Sequence, residues 1–160
     1  MSHELEIIRL RKELAEYSRR SFNRGLVSGT GGNLSVRVPG TDTVLITPTG
    51  ISLGDIDPEI NLLMKIDGTL IENPCGLKPS KETAFHLAVY QIRPEAGAVS
   101  HVHPPYATAY SNVVDRLPMV TVSAQGVLKE VPRIESAMAG SKELYEFVKA
   151  GLLKYPAAKV

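Results

Sequence analysis

The sequence contains a single cysteine, Cys75, no tryptophan and only three phenylalanines. One cysteine excludes a disulfide framework within the chain and fits a reducing compartment, so a cytoplasmic location is expected. Neither sign of charge is in excess: 18 Lys and Arg against 17 Asp and Glu leave a formal charge of +1 with His neutral. Nucleic-acid and membrane-surface binders usually carry clustered basic charge, so no nucleic acid and no membrane is expected as a partner. No run approaches the roughly 18 apolar residues of a membrane span. The opening MSHELEIIRLRKELAEYSRR mixes acids with bases, unlike a secretory signal.

What is present is a mixed pattern of helices and short strands. Ile7, Leu10, Leu14 and Tyr17 recur at helical spacing, which predicts an amphipathic helix over 2–23, with Ser2 as N-cap and Gly25 as its stop. Residues 33–38 alternate: Leu34, Val36 and Val38 share one side, Asn33, Ser35 and Arg37 the other. A second strand is expected over 43–47. Asp67-Gly68 between 62–66 and 69–71 is a hairpin signal. Pro79 and Pro94 bracket a helix over 80–92, with Ala84, Leu87, Ala88 and Gln91 facing inward. A strand over 98–103, a short helix from Pro104-Pro105 to Asn112, a strand over 119–123 and a helix over 141–153 follow. That last helix carries Leu144, Phe147, Val148 and Leu152 on one stripe. Hairpins outnumber β-α-β alternation, which predicts a largely antiparallel sheet covered by helices.

Three kinds of residue carry possible chemistry. His101-Val102-His103 on a strand would project both imidazoles from one face, a geometry suited to Zn2+, although such pairs also pack or face solvent. Glu82 opens a helix, where the dipole alone stabilises a carboxylate. Brought beside the His pair, it would instead serve as ligand, general base, or each in turn. Ser28-Gly29-Thr30-Gly31-Gly32-Asn33, Thr47-Pro48-Thr49-Gly50 and Pro79-Ser80-Lys81 each combine small residues with hydroxyls, as turns do and as phosphate cradles do. The first ends in no Gly-Lys-Ser/Thr and lacks the third dinucleotide glycine, which excludes a P-loop and a Rossmann fingerprint.

Four segments in this order resemble the zinc-dependent class II aldolase/adducin family. They are Gly29 through Arg37, Ile46-Thr47-Pro48-Thr49-Gly50, Lys78-Pro79-Ser80-Lys81-Glu82 and His101-Val102-His103. The resemblance implies a three-layer α/β/α sandwich around a mostly antiparallel sheet, and a homotetramer with sites at subunit interfaces. It places His101 and His103, with Glu82, on zinc or a similar divalent ion, and casts Glu82 as the catalytic acid/base. Asn33, Thr49, Gly50 and Ser80 match positions that bind the substrate's phosphate, and Gly32 and Lys81 are expected to join them there. The implied reaction is reversible cleavage of a ketose 1-phosphate, such as L-fuculose 1-phosphate, to dihydroxyacetone phosphate and an aldehyde.

The sequence departs from the family pattern in three places. A third zinc histidine belongs in a strand after the last helix, but the sequence runs only to Lys154 through Val160 there, and neither His3 nor His86 matches it. His86 is read instead as a packed or hydrogen-bonded histidine. Residues 1–160 are therefore expected to form one aldolase/adducin-like domain that is short at its C-terminus. Val122 stands where the aldolases place a tyrosine, and Lys81 where a serine is frequent. Alternative readings are a metal-free, adducin-like assembly module and a related sugar-phosphate epimerase or dehydratase.

Overall fold

The computed structural model describes residues 3–159. Ser2, the expected N-cap, and Val160 lie outside them. The chain divides into two compact units that meet in sequence between His103 and Pro104.

The first unit is a three-layer α/β/α sandwich. Helix α1 (His3–Asn23) is followed by strands β1 (Asn33–Arg37), β2 (Thr43–Ile46), β3 (Leu62–Lys65) and β4 (Leu70–Glu72), then helix α2 (Thr83–Ile92) and strand β5 (Ala98–His101). The sheet order is β4-β3-β2-β1-β5, and every neighbouring pair is antiparallel. The alternation of the strands sorts the core into two halves. Leu34, Leu45 and Leu63 pack against Leu10, Leu14 and Ala15 of α1. Val44, Ile46, Leu62 and Met64 pack against Leu87 and Tyr90 of α2. Full burial of one such side chain is worth about 1.5–3 kcal/mol.

Two helix faces differ from the sequence pattern. On α1, Tyr17 is 56% exposed, and the buried stripe ends on Ser18, whose hydroxyl donates to the Leu14 carbonyl at 2.7 Å. Arg11 joins that stripe because its guanidinium is satisfied by the Asn61 carbonyl and, at 2.9 Å, by Glu72. On α2, Ala84 and Gln91 are exposed; Thr83, His86, Leu87 and Tyr90 face inward at the i, i+3, i+4, i+7 spacing. Leu87 and Ala88 are buried as expected, and Thr83, His86 and Tyr90 widen the inward face because the surrounding structure satisfies their polar groups.

The 67–68 hairpin forms as expected. Gly68 adopts φ +96°, and the Thr69 amide donates to the Asp67 carboxylate at 2.8 Å.

The second unit contains helices α3 (Pro105–Ser111), α4 (Val122–Val127) and α5 (Lys142–Lys154). No strand forms over 119–123. The Thr121 hydroxyl accepts from the Ala124 amide at 3.1 Å and caps α4. A local side-chain cap thus overrides the β-branched run Val120-Thr121-Val122. Val122, 86% exposed, opens that helix. Ser141 caps α5 by accepting from the Leu144 amide at 3.0 Å, and Leu144, Phe147, Val148 and Leu152 are half-buried. No described helix is long and apolar enough to cross a membrane.

Candidate active site at one end of the sheet

Antiparallel pairing gathers the start of β1, the end of β2 and the end of β5 at one end of the sheet. Asn33 is opposite His101 in the β1–β5 register. Thr47, just past β2, exchanges backbone and side-chain bonds with Leu34: its amide donates to the Leu34 carbonyl at 3.0 Å, and its hydroxyl accepts from the Leu34 amide at 3.1 Å. The segment before α2 joins the same end, since Pro48 and Pro79 form a bridge and the Thr49 amide donates to the Lys78 carbonyl at 3.0 Å. Residues 28–33, 47–50 and 78–81, three separate clusters in sequence, therefore border one region.

The glycines make that approach feasible. Gly32 sits at φ +78°, and a Cβ there would lie 2.6 Å from Val27 Cγ1 and 2.9 Å from the His101 carbonyl. A Cβ on Gly31 would meet His103 Nδ1 at 3.3 Å. Gly50 also has φ +78°, but opens onto empty space. Ser80 is buried, and its hydroxyl accepts from the Glu82 amide at 3.3 Å. The half-buried Thr49 and exposed Lys81 flank it.

Glu82 occupies the N-cap position of α2 but makes no capping bond. Its Oε2 instead accepts from Asn33 Nδ2 at 2.7 Å and lies 2.5 Å from His101 Nδ1. Burial pushes the Glu82 carboxyl up, while the bonds from His101 and Asn33 and the neighbouring imidazoles outweigh it and hold the carboxyl below the usual range. The ionised carboxylate can only accept, so His101 carries its proton on Nδ1. When His101 is neutral, the Nε2 lone pair then points at His103 Nε2, 3.0 Å away.

This pair fits half of a zinc site. Two nitrogens at about 2.0–2.1 Å from one tetrahedral ion stand roughly 3.3 Å apart, close to the observed separation. The rest of the donor set is not there: among the described residues no group of three His, Cys, Asp or Glu side chains is placed to hold an ion. Glu82 bonds the far nitrogen of His101, as an outer carboxylate does when it fixes a ligand's tautomer.

Behind Asn33 lie His86, packed and hydrogen-bonded as expected, and Ser35 and Tyr90, to which the sequence pattern gave no role. His86, fully buried, lies with its Nε2 2.5 Å from Asn33 Oδ1 and its Nδ1 2.7 Å from Ser35 Oγ. Ser35 Oγ is in turn 2.8 Å from the Tyr90 hydroxyl. Burial drives the His86 imidazole down to about 3 and the Tyr90 phenol up to about 12, so both are neutral. The available signal was the alternation that puts Ser35 on the Asn33 side, and two polar residues four apart on α2.

Residues 12–159 match the family model of the class II aldolase and adducin N-terminal domain. The chain belongs to this family. Its members include relatives with different chemistries. An L-fuculose phosphate aldolase of Methanococcus maripaludis is 35% identical over 136 residues, 85% of this chain and 72% of the relative. A 3-oxo-tetronate 4-phosphate decarboxylase of Haemophilus influenzae is 46% identical over 101 residues, 62% of this chain. The chain spans less than half, 46%, of that relative's length. Among solved structures, YgbL from Escherichia coli, described as a candidate aldolase, epimerase or decarboxylase, superposes with a TM-score of 0.81 at 30% identity, covering 95% of this chain and 72% of that one. An L-fuculose-1-phosphate aldolase from Thermus thermophilus gives 0.76 at 32% identity, covering 90% and 70%. The family is thus established, and the matches divide between aldolases and decarboxylases.

Proposed function

We propose that the chain carries the acid/base half of a carbon–carbon lyase site acting on a phosphorylated sugar or sugar acid. The observation that carries this reading is Glu82: an ionised, half-buried carboxylate without a capping role, held between Asn33 and His101 at the point where three small-residue loops converge. Aldol cleavage and decarboxylation share one demand. Each breaks a carbon–carbon bond next to a carbonyl, and the electron pair left behind must be stabilised and then protonated at carbon. In aldol cleavage a carboxylate that is ionised at rest can take the substrate's hydroxyl proton and give it to that carbon; in decarboxylation the proton comes from solvent and can reach the carbon through the same carboxyl group.

In this reading the backbone and hydroxyls of Gly32, Thr49, Gly50 and Ser80, with the Lys81 ammonium, receive the phosphate. Asn33 orients Glu82. His101 and His103 would hold a divalent ion, with its remaining donors coming from outside the described residues. When bound, that ion supplies electrophilic stabilisation of the substrate's oxygens. Cleavage of L-fuculose 1-phosphate is the narrower form of this proposal, and the split among relatives favours the broader one. A homotetramer with shared sites follows from the family resemblance.

The second reading is a metal-free, adducin-like module, favoured by the incomplete donor set among the described residues. The deciding experiment uses the natural full-length protein, with elemental analysis before and after incubation with Zn2+, and with L-fuculose 1-phosphate and 3-oxo-tetronate 4-phosphate offered as substrates. Dihydroxyacetone phosphate is a product of both cleavages, so its release supports a lyase, and the co-product, an aldehyde or CO2, says which branch. Failure to retain metal, with no turnover of either compound, supports the module.

A further inference from the structure

The polar side chains between β1 and α2 form a continuous series from the interior to the site. It runs from Tyr90 to Ser35, His86, Asn33 and Glu82, with each step between 2.5 and 2.8 Å. With Glu82 ionised, its direction follows from donor and acceptor chemistry. The Glu82 carboxylate only accepts, so the Asn33 atom against it is the amide nitrogen. The other Asn33 atom is then the carbonyl oxygen, which only accepts, so His86 presents Nε2–H to it. A neutral imidazole protonated on Nε2 has a lone pair on Nδ1, so Ser35 must donate there. The single Ser35 hydroxyl proton is thereby committed, and Tyr90 must donate to Ser35 Oγ. No member has a second arrangement that satisfies its neighbours.

An isolated asparagine amide can turn over, exchanging its oxygen for its nitrogen at little cost. Here the turn would aim an oxygen at the Glu82 carboxylate and an N–H at the His86 N–H, two repulsive contacts in a buried place. We infer that His86, presenting Nε2–H to the Asn33 carbonyl while Ser35 donates to its Nδ1, is a positioning residue that locks the Asn33 carboxamide with its NH2 on Glu82 and so fixes the aim of the carboxylate. The inference rests on Glu82 being the proton-transfer group, but the locking itself is a property of the resting protein. It can be measured without substrate or metal.

The test is nuclear magnetic resonance on the full-length protein with 15N-labelled histidine and asparagine. In the wild type at neutral pH, His86 is expected wholly as the Nε2–H tautomer. The Asn33 side-chain NH2 is expected as two well-separated, exchange-protected signals. S35A removes the donor to Nδ1 but leaves the Asn33 carbonyl on Nε2, so the Nε2–H tautomer should persist; a tautomer mixture in S35A would show that Asn33 and His86 do not hold each other and would overturn the inference. H86L should collapse the separation of the Asn33 NH2 signals. H86Q, whose amide can still donate to Asn33 Oδ1, should restore that separation. A purely structural role for His86 would not distinguish the glutamine from the leucine variant at equal thermal stability. An Nδ1–H tautomer in the wild type, or unchanged Asn33 signals in H86L, overturns the inference. The wild-type tautomer decides the matter even if a variant fails to fold. Absence of turnover would sink the lyase reading and leave this result standing.

Discussion

Asn33 stands opposite His101 across the β1–β5 ladder, and the same Glu82 oxygen bonds both side chains. A strand pairing therefore sets the spacing of the two groups that hold the carboxylate. The carboxylate itself comes from the first turn before a helix. Residues far apart in sequence are brought to hydrogen-bond distance by one ladder and one helix start.

Glu82→Gln removes the proton acceptor while keeping size and one hydrogen-bonding oxygen. Turnover of whichever phosphorylated substrate the full-length protein accepts should fall by about 10²–10⁴, the usual contribution of a positioned acid/base group. The thermal transition should move little. A variant retaining more than about a tenth of wild-type turnover would exclude proton transfer by Glu82.

Asn33→Ala leaves the Glu82 carboxylate and the His86 N–H each one partner short in a buried region. The expected cost is about 1–3 kcal/mol, read from the urea midpoint at unchanged slope. Asn33→Asp keeps an acceptor for His86 but sets two carboxylates together, and should raise the pKa of Glu82 as well.

Gly32 and Gly50 share φ +78° and differ only in surroundings. Gly50→Ala should cost about 1 kcal/mol from backbone strain alone. Gly32→Ala adds collisions with Val27 and with the His101 carbonyl, and should exceed it by about 1–3 kcal/mol. Chemical denaturation of the two variants side by side checks this. Equal costs would mean that the loop moves away from the His strand without penalty.

Acid should destabilise the protein through His86. Its folded pKa of about 3 lies below the ordinary 6.5, so the unfolded chain binds the extra proton between those values. The contribution is fully present above about pH 6.5 and is lost as pH falls, at about 1 kcal/mol per unit. Glu82, also held low, adds a loss of the same sign only below the ordinary carboxylate range. Urea midpoints measured from neutral pH down through mildly acidic pH should therefore drop for the wild type more steeply than for H86L. Parallel slopes would show that His86 takes up its proton in the folded state.

The sheet was largely legible because its strands alternate and its hairpin carries Asp67-Gly68, features that depend on neighbours in sequence. Asn33, Glu82, His101 and His103 were legible as residue types, and their meeting follows from the antiparallel order. The faces of α1 and α2 were less so, because Ser18 and His86 are buried polar residues whose hydrogen bonds offset the cost of burial. The 119–123 segment misled for the opposite reason. Its β-branched run met no partner strand, and a single hydroxyl on Thr121 was enough to start a helix. Ser35 and Tyr90 drew no functional reading because their role is to hold a residue that holds another.

β5 lies at the margin of the sheet and is hydrogen-bonded, among the described strands, to β1 alone. Margins open before centres when a protein fluctuates. The His101 strand can therefore detach while β1 to β3, both apolar core halves and the Tyr90-to-Asn33 series stay folded. Amide exchange would register this as early labelling at residues 98–101 against late labelling at 44–46. His101 thus sits on one of the two marginal strands of the first unit, while the Asn33 that shares its carboxylate sits on an inner one.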